Sequence, residues 1–373
     1  MHMKFLSGDD GGFGMRVAHG SCCDGNPWPG VPTSSRPSPP RSSWTEPRMH
    51  ESESSMLDIL YCEDVGHDMD TSDIHLESAL DEYNLKVNDL ESTGAGSEEL
   101  LEAYVNRGCV LYMMEYRTSA MEDLESAAEV LDDLESQGYE ADAGTYTRIH
   151  ATMASILFDQ DSDCTGEYEL VSKRLDELGP HSRHFDRRSI VNLCIDACKN
   201  LIDSEASDMA LPFVEKGLSI VQGHPDTWSQ NRTVELLDLN AEAQTDLGEN
   251  EEAVELYSQS IDLGMDLMDR GQLEDPEELI MSFVMKAEAE AEMDLTDMYI
   301  KDMEAAITIL EHMMEFNRIP DPEILVRLHH DVAGALMNKG EIQEAEKHLM
   351  KAMRIGVQGA GDYIDVHGPR DFQ

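Results

Sequence analysis

From about residue 72 onward, apolar positions recur at three- and four-residue steps with charged residues between them, the pattern of amphipathic helices. In "DIHLESALDEYNLKVNDLES" the apolar face is Leu76, Leu80, Tyr83, Val87 and Leu90. Prolines punctuate the pattern at wide intervals, at Pro180, Pro225, Pro276 and Pro320. Asp275-Pro276-Glu277-Glu278 and Asp321-Pro322-Glu323 each predict a helix start, with a capping carboxylate before a proline at the first helical position. No stretch alternates with period two between hairpin turns, so no strand is predicted. The chain reads as all-α.

Small residues add a second, longer pattern. In "KGEIQEAEKHLMKAMRIG", residues 339–356, Gly340, Ala345, Leu349 and Ala352 follow one another at offsets of five, four and three. Small residues let two helices cross closely, because nothing larger than a methyl group separates the backbones. The spacing recurs upstream. Tyr104, Gly108 and Leu111 precede Ala120, Leu124 and Ala127; Leu237 and Ala241 precede Gly248, Ala253, Tyr257 and Ser260. Cys194, Cys198 and Leu201 precede Ala210, Val214 and Gly217, and Phe283 and Ala287 precede Met303 and Ala306, with Tyr299 where alanine is expected. Ala333 and Leu336 open the last unit, and the faintest copy centres on His150, Ala154 and Leu157. Each unit is a helix A followed by a helix B.

This signature resembles the tetratricopeptide repeat (TPR) family over about residues 100–356, most specifically in Gly-Glu-x-x-Glu-Ala at 248–253 and 340–345. One departure is the period. The helix-A small residues fall at 108, 154, 198, 241, 287 and 333, which gives 43–46 residues per unit, against about 34 in the family. Longer variants of the family resemble this chain, and HEAT-type repeats, which share the longer period, are the alternative. The resemblance implies a right-handed superhelical array of antiparallel helix pairs whose A helices line a concave groove for peptides or protein surfaces. Each unit then buries its apolar face only by stacking on its neighbours.

Composition narrows the partner. Of 373 residues, 77 are acidic and 27 are Lys or Arg, a net charge of −50. Such a chain is unsuited to nucleic acid or an anionic membrane and suits solubility or a cationic partner. No apolar run of about 18 residues exists, so no membrane span is expected. The seven cysteines are odd in number and form no C-x-x-C pair. That argues for reduced thiols and a cytoplasmic chain rather than a disulfide framework or zinc site. No apolar stretch follows Lys4, so no secretory signal is expected.

Residues 1–56 differ in kind: they hold seven of the 14 prolines, in "GNPWPGVPTSSRPSPPRSSWTEP", and little of the acidity. They are expected to be disordered, either as a Pro-rich ligand for another domain or as an upstream extension with Met49 or Met56 as the native start. Residues 57–99 read as a helical cap or degenerate repeat, 100–356 as the array, and 357–373 as a flexible tail.

Chemistry is sparse. Cys194 and Cys198, spaced i, i+4, fall on the two core positions of a helix A, so packing is expected rather than metal. "DQDSDCTGEYEL", residues 159–170, opens like a calcium loop but has Cys164 and Leu170 where Gly and Glu are required, so an inter-helix loop is expected. The basic island His181, Arg183, His184, Arg187 and Arg188 is expected to pair within the fold, and the two histidines lack a third zinc ligand. No G-x-S-x-G, P-loop, G-x-G-x-x-G or H-E-x-x-H motif occurs, so neither enzyme activity nor a cofactor is expected.

The expected function is a protein- or peptide-binding scaffold; the alternatives are a peptide-responsive regulator and an acidic holding chaperone for basic clients. The resemblance assigns groove positions three before, one after and four or five after the helix-A small residue. In the first two units these are Val105, Cys109, Tyr112, Met113, Ala151, Ser155, Phe158 and Asp159; in the fourth and fifth, Asp238, Glu242, Thr245, Asp246, Val284, Glu288, Ala291 and Glu292. The first set is largely apolar and the second largely acidic. Together they imply a partner with an apolar anchor and basic residues.

Overall fold

The computed structural model describes residues 69–93, 97–179, 182–315 and 322–366. Among these there are 13 α-helices, one 3₁₀ turn and no strand. Helix α1 (Met69–Thr93) precedes six A/B pairs: α2 (Glu98–Met113) with α3 (Arg117–Ser136), α4 (Ala143–Asp159) with α5 (Thr165–Arg174), α6 (Arg187–Asp203) with α7 (Ser207–Val221), α8 (Thr227–Asp246) with α9 (Asn250–Asp269), α10 (Pro276–Glu292) with α11 (Thr296–Glu315), and α12 (Pro322–Lys339) with α13 (Ile342–Val366). Each helix packs chiefly on its neighbours in sequence, and successive A helices α2, α4, α6, α8 and α10 also touch side by side. The fold is a TPR-like array.

The two kinds of helix begin differently. A helices start from side-chain caps: Ser97, Asp142, Asp186, Asp226 and Asp275 accept from the backbone N–H of Leu100, Thr145, Ser189, Ser229 and Glu277, satisfying donors that helix geometry orphans. Pro276 follows its cap as the sequence predicts; Asp321 lies outside the described residues. Helices α3, α5, α7 and α9 have no side-chain cap. Each begins out of a turn that closes the preceding helix. In all six A-to-B turns one residue is left-handed: Glu115 (φ 63°), Asp161 (53°), Glu205 (59°), Gly248 (82°), Asp294 (61°) and Gly340 (84°). The next residue's N–H reaches back five positions: Tyr116 to the Leu111 carbonyl at 2.8 Å, Ala206 to Leu201 at 2.8 Å, Glu249 to Gln244 at 2.9 Å. This is the Schellman closure, repeated at the array's own period.

The expected small residues occupy the crossings. Ala120, Ala154, Cys198, Ala210, Ala241, Ala253, Ala287 and Ala345 are fully buried. A Cβ on Gly108 would stand 3.0 Å from Leu124 Cγ, and one on Gly217 2.9 Å from Leu236 Cδ1. The second unit departs most: a longer turn shifts α5, and Tyr168, buried and hydrogen-bonded by Asn200 at 2.8 Å, packs edge-on against Phe213. Several charged groups inside the array are paired. Arg107 grips Asp123 through two nitrogens at 2.6 Å, and Lys286 sits 2.7 Å from Asp302 and 3.6 Å from Glu290, both buried.

The end of the array needs a correction. Helix α13 continues to Val366, ten residues into the segment expected to be a flexible tail from 357. Gly359 and Gly361 cost helix stability without forbidding it, and the first proline after 356 is Pro369. The segment 1–56 lies outside the described residues. Among the described residues no helix is long and apolar enough to cross a membrane.

Candidate functional site

A groove of about 310 Å³ opens among α8, α10, the end of α11 and the start of α12. Its floor is apolar: Leu239, Ile280, Met281, Met285, Leu310, Met313 and Ile324. Its walls are acidic: Glu235, Asp238 and Glu242 from α8, and Asp275, Glu277 and Glu278 from the start of α10. Among the described residues Lys199 alone brings a cation to the lining, and Glu235 already holds it at 2.7 Å. Glu235 is held in turn by Arg232 at 2.7 Å.

The remaining carboxylates are crowded, half-buried at Asp238, Glu242, Asp275 and Glu277 and exposed at Glu278. Burial pushes the Asp238 carboxyl up to about 7, against hydrogen bonds from the Ser260 and Ser282 hydroxyls. Glu242 is raised by burial and by Asp246 and Asp203. Glu278 is raised by burial, then by Glu235 and Asp275, with Lys199 and Arg232 opposing. Tyr257, beneath them, is raised by burial and by Glu242 and Asp238. Desolvation and like charge disfavour ionised carboxylates, and a cation close by favours the ionised form. The groove is arranged to gain from an incoming positive charge.

The sequence-expected site residues divide. Asp238 and Glu242 line the groove. Asp246, one turn on, accepts from the Ser207 hydroxyl at 2.5 Å. Glu288 and Glu292 are exposed on α10 outside the groove lining. Part of the apolar half is interior: Val105, Cys109 and Ala151 are fully buried. This corrects their assignment to an open face. In this part of the array α2 and α4 touch, and Cys109 meets Thr152 of α4 instead of solvent. Tyr112, Met113 and Phe158 are half-buried. The Tyr112 hydroxyl lies 3.4 Å from Asp159, which Arg117 holds at 3.0 Å, and Phe158 packs on the central core. The sequence reading missed Glu278, Met281 and Met285. They are spaced i, i+3, i+7 on one face of α10; Glu278 and Met281 lie nearer its start than the family positions reach, and Met285 falls between two of them.

Other motifs behave as the residues suggest. Cys194 and Cys198 are buried in the core, and burial pushes the Cys194 thiol up to about 12. Asp163 lies in the turn before α5, where its carboxylate accepts from the Thr165 N–H at 3.0 Å. In the basic island Arg183 pairs with Glu98 and Glu102, Arg187 with Asp226, and the Arg188 guanidinium lies 5.0 Å over the Trp228 ring; His181 lies outside the described residues.

No protein-family model matches the chain, and no curated protein does. Solved structures share its fold. The apo form of RapI is 14% identical, covering 76% of this chain and 77% of its own, with a TM-score of 0.50. BtubC (BKLC) from P. vanneervenii is 14% identical over 80% of this chain and 94% of its own, with a TM-score of 0.44. The C-terminal part of a TPR repeat-containing protein from Cytophaga hutchinsonii is 14% identical over 75% of this chain and 98% of its own, with a TM-score of 0.44.

Proposed function

We propose that the chain is a protein- or peptide-binding scaffold whose α8–α10 groove takes an extended segment with an apolar anchor flanked by lysine or arginine. The observation that carries this is the methionine-rich floor walled by crowded carboxylates. At about 310 Å³ the groove stands at the small end of ligand pockets, which run from about 300 to 1,000 Å³. It holds one or two anchoring side chains of a longer segment better than a compact small molecule. The anchor supplies affinity through the floor; the cations set orientation and speed encounter.

A displayed peptide library tests the reading. Selection on the full chain is expected to enrich a large apolar residue with nearby Arg or Lys, and binding is expected to weaken with salt as exposed charges are screened. Asp238→Asn, Glu242→Gln and Glu278→Gln together are expected to abolish the basic preference while the helical content stays the same. Enrichment of the same peptides by parent and triple variant would overturn the reading.

A further inference from the structure

The groove calls for an apolar anchor between cations, and one stretch of this chain answers that description. We propose that residues 33–48, TSSRPSPPRSSWTEPR, dock in the α8–α10 groove, with Trp44 on the methionine floor and Arg36, Arg41 and Arg48 against the carboxylates. The proposal rests on reading the groove as a site for such a segment.

Charge complementarity is the first support. In a chain with 77 acids and 27 Lys or Arg, this stretch carries three arginines against one acid, Glu46. Cation-rich stretches within the array are already engaged: Arg183 and Arg187 by Glu98, Glu102 and Asp226, and Lys347 and Lys351 by Glu344 and Glu311. The prolines Pro37, Pro39, Pro40 and Pro47 restrict the free segment, so less conformational entropy is lost on docking. In an extended proline-type helix, rising about 3.1 Å per residue, Arg36 and Arg41 stand about 15 Å apart. That is close to the span of two adjacent helix spacings of about 8–10 Å each.

Reach is the second support. Residues 49–68 separate Arg48 from the start of α1, and about twenty residues extend to roughly 70 Å. Successive A helices stack at about 8–10 Å, so α8 lies roughly 30 Å from α2. The linker covers the distance with slack.

The test uses the full chain. The sequence has three tryptophans, so Trp28→Phe and Trp228→Phe leave Trp44 as the only one. Its fluorescence is expected to be blue-shifted and several-fold less quenched by acrylamide than after Arg36→Ser, Arg41→Ser and Arg48→Ser, which alter no residue of the array. Equal quenching in the two chains overturns the docking. Shielding that disappears on dilution also overturns it, because a second copy's groove is then the host. A synthetic probe peptide, one Trp among three Arg in an unrelated order, separates this from the groove's function. If the chain's own segment fills the groove nine-tenths of the time, the probe binds the Arg→Ser chain about tenfold more tightly than the parent. Equal probe binding to both chains, lost with the triple groove variant, sinks the docking and leaves the groove's function standing. No probe binding even to the Arg→Ser chain sinks that function as well.

Discussion

Glu205 sits in the left-handed region at φ 59°, exposed, at a turn where Gly248 and Gly340 do the same work in later units. A side chain there pushes its Cβ towards the following carbonyl, which costs roughly 1–2 kcal/mol. Glycine removes that cost but loses about 0.5–1 kcal/mol more backbone entropy on folding. Glu205→Gly is therefore expected to stabilise the array by about 0.5–1 kcal/mol. Gly248→Ala is the reverse experiment. A Cβ there meets nothing within 4 Å, so the net loss, about 0.5–1 kcal/mol once the entropy term is set against the left-handed cost, is conformational alone. Urea unfolding followed by far-UV circular dichroism reads both, provided the slope m stays constant. A midpoint lowered by Glu205→Gly, or unmoved by Gly248→Ala, would refute the account of the turns. Asp161 and Asp294 occupy the same position and are expected to gain less from glycine, because a short Asx side chain tolerates this conformation.

Ala253→Leu forces extra carbons into the α8–α9 crossing, where Ala253 is fully buried beside Ala241 and Tyr257; it is expected to cost about 1–3 kcal/mol, while Glu252→Leu, on the exposed face, costs much less in the same melts. Lys286→Met strands Glu290 and Asp302, both buried, and is expected to cost about 3–5 kcal/mol at neutral pH. The loss shrinks at pH 5, where Glu290, raised to about 7 by burial and by Asp302, is protonated. His329 is buried, with His348 at 3.0 Å, Glu311 at 3.5 Å and Lys351 nearby. Burial, His348 and Lys351 lower it from 6.5 to about 4, against Glu311. Between those values the unfolded chain binds the proton more strongly, so this contribution to stability is full above pH 6.5 and falls as the pH drops towards 4. His329→Phe is expected to flatten that part of a stability–pH profile.

The register of the array was legible because alanine at a crossing is a steric requirement repeated every 43–46 residues, at 154, 241, 287 and 333. Helix starts were legible wherever a carboxylate precedes a proline. The left-handed turns were half legible: Gly248 and Gly340 announce themselves, whereas Glu115 and Glu205 carry no local signal and are held by the backbone bonds around them. The acidic wall was legible at Asp238 and Glu242. The floor was not, because Leu310, Met313 and Ile324 come from two helices that only packing brings to α8. Three positions of the apolar half are closed for a different reason. Val105, Cys109 and Ala151 were assigned by analogy to an open face, and whether a face is open depends on the neighbouring helix and not on the residue itself.

Each helix packs chiefly on its immediate neighbours in the array, so a disturbance at α12 has no direct route to α6. The groove cuts across that isolation, since Lys199 of α6 and Ile324 of α12 belong to one lining. A segment lying in it acts as a splint. It ties together units that the covalent chain merely strings in a row. With the splint in place, the C-terminal units are expected to melt together with the centre; without it, they are free to peel away from the end inward.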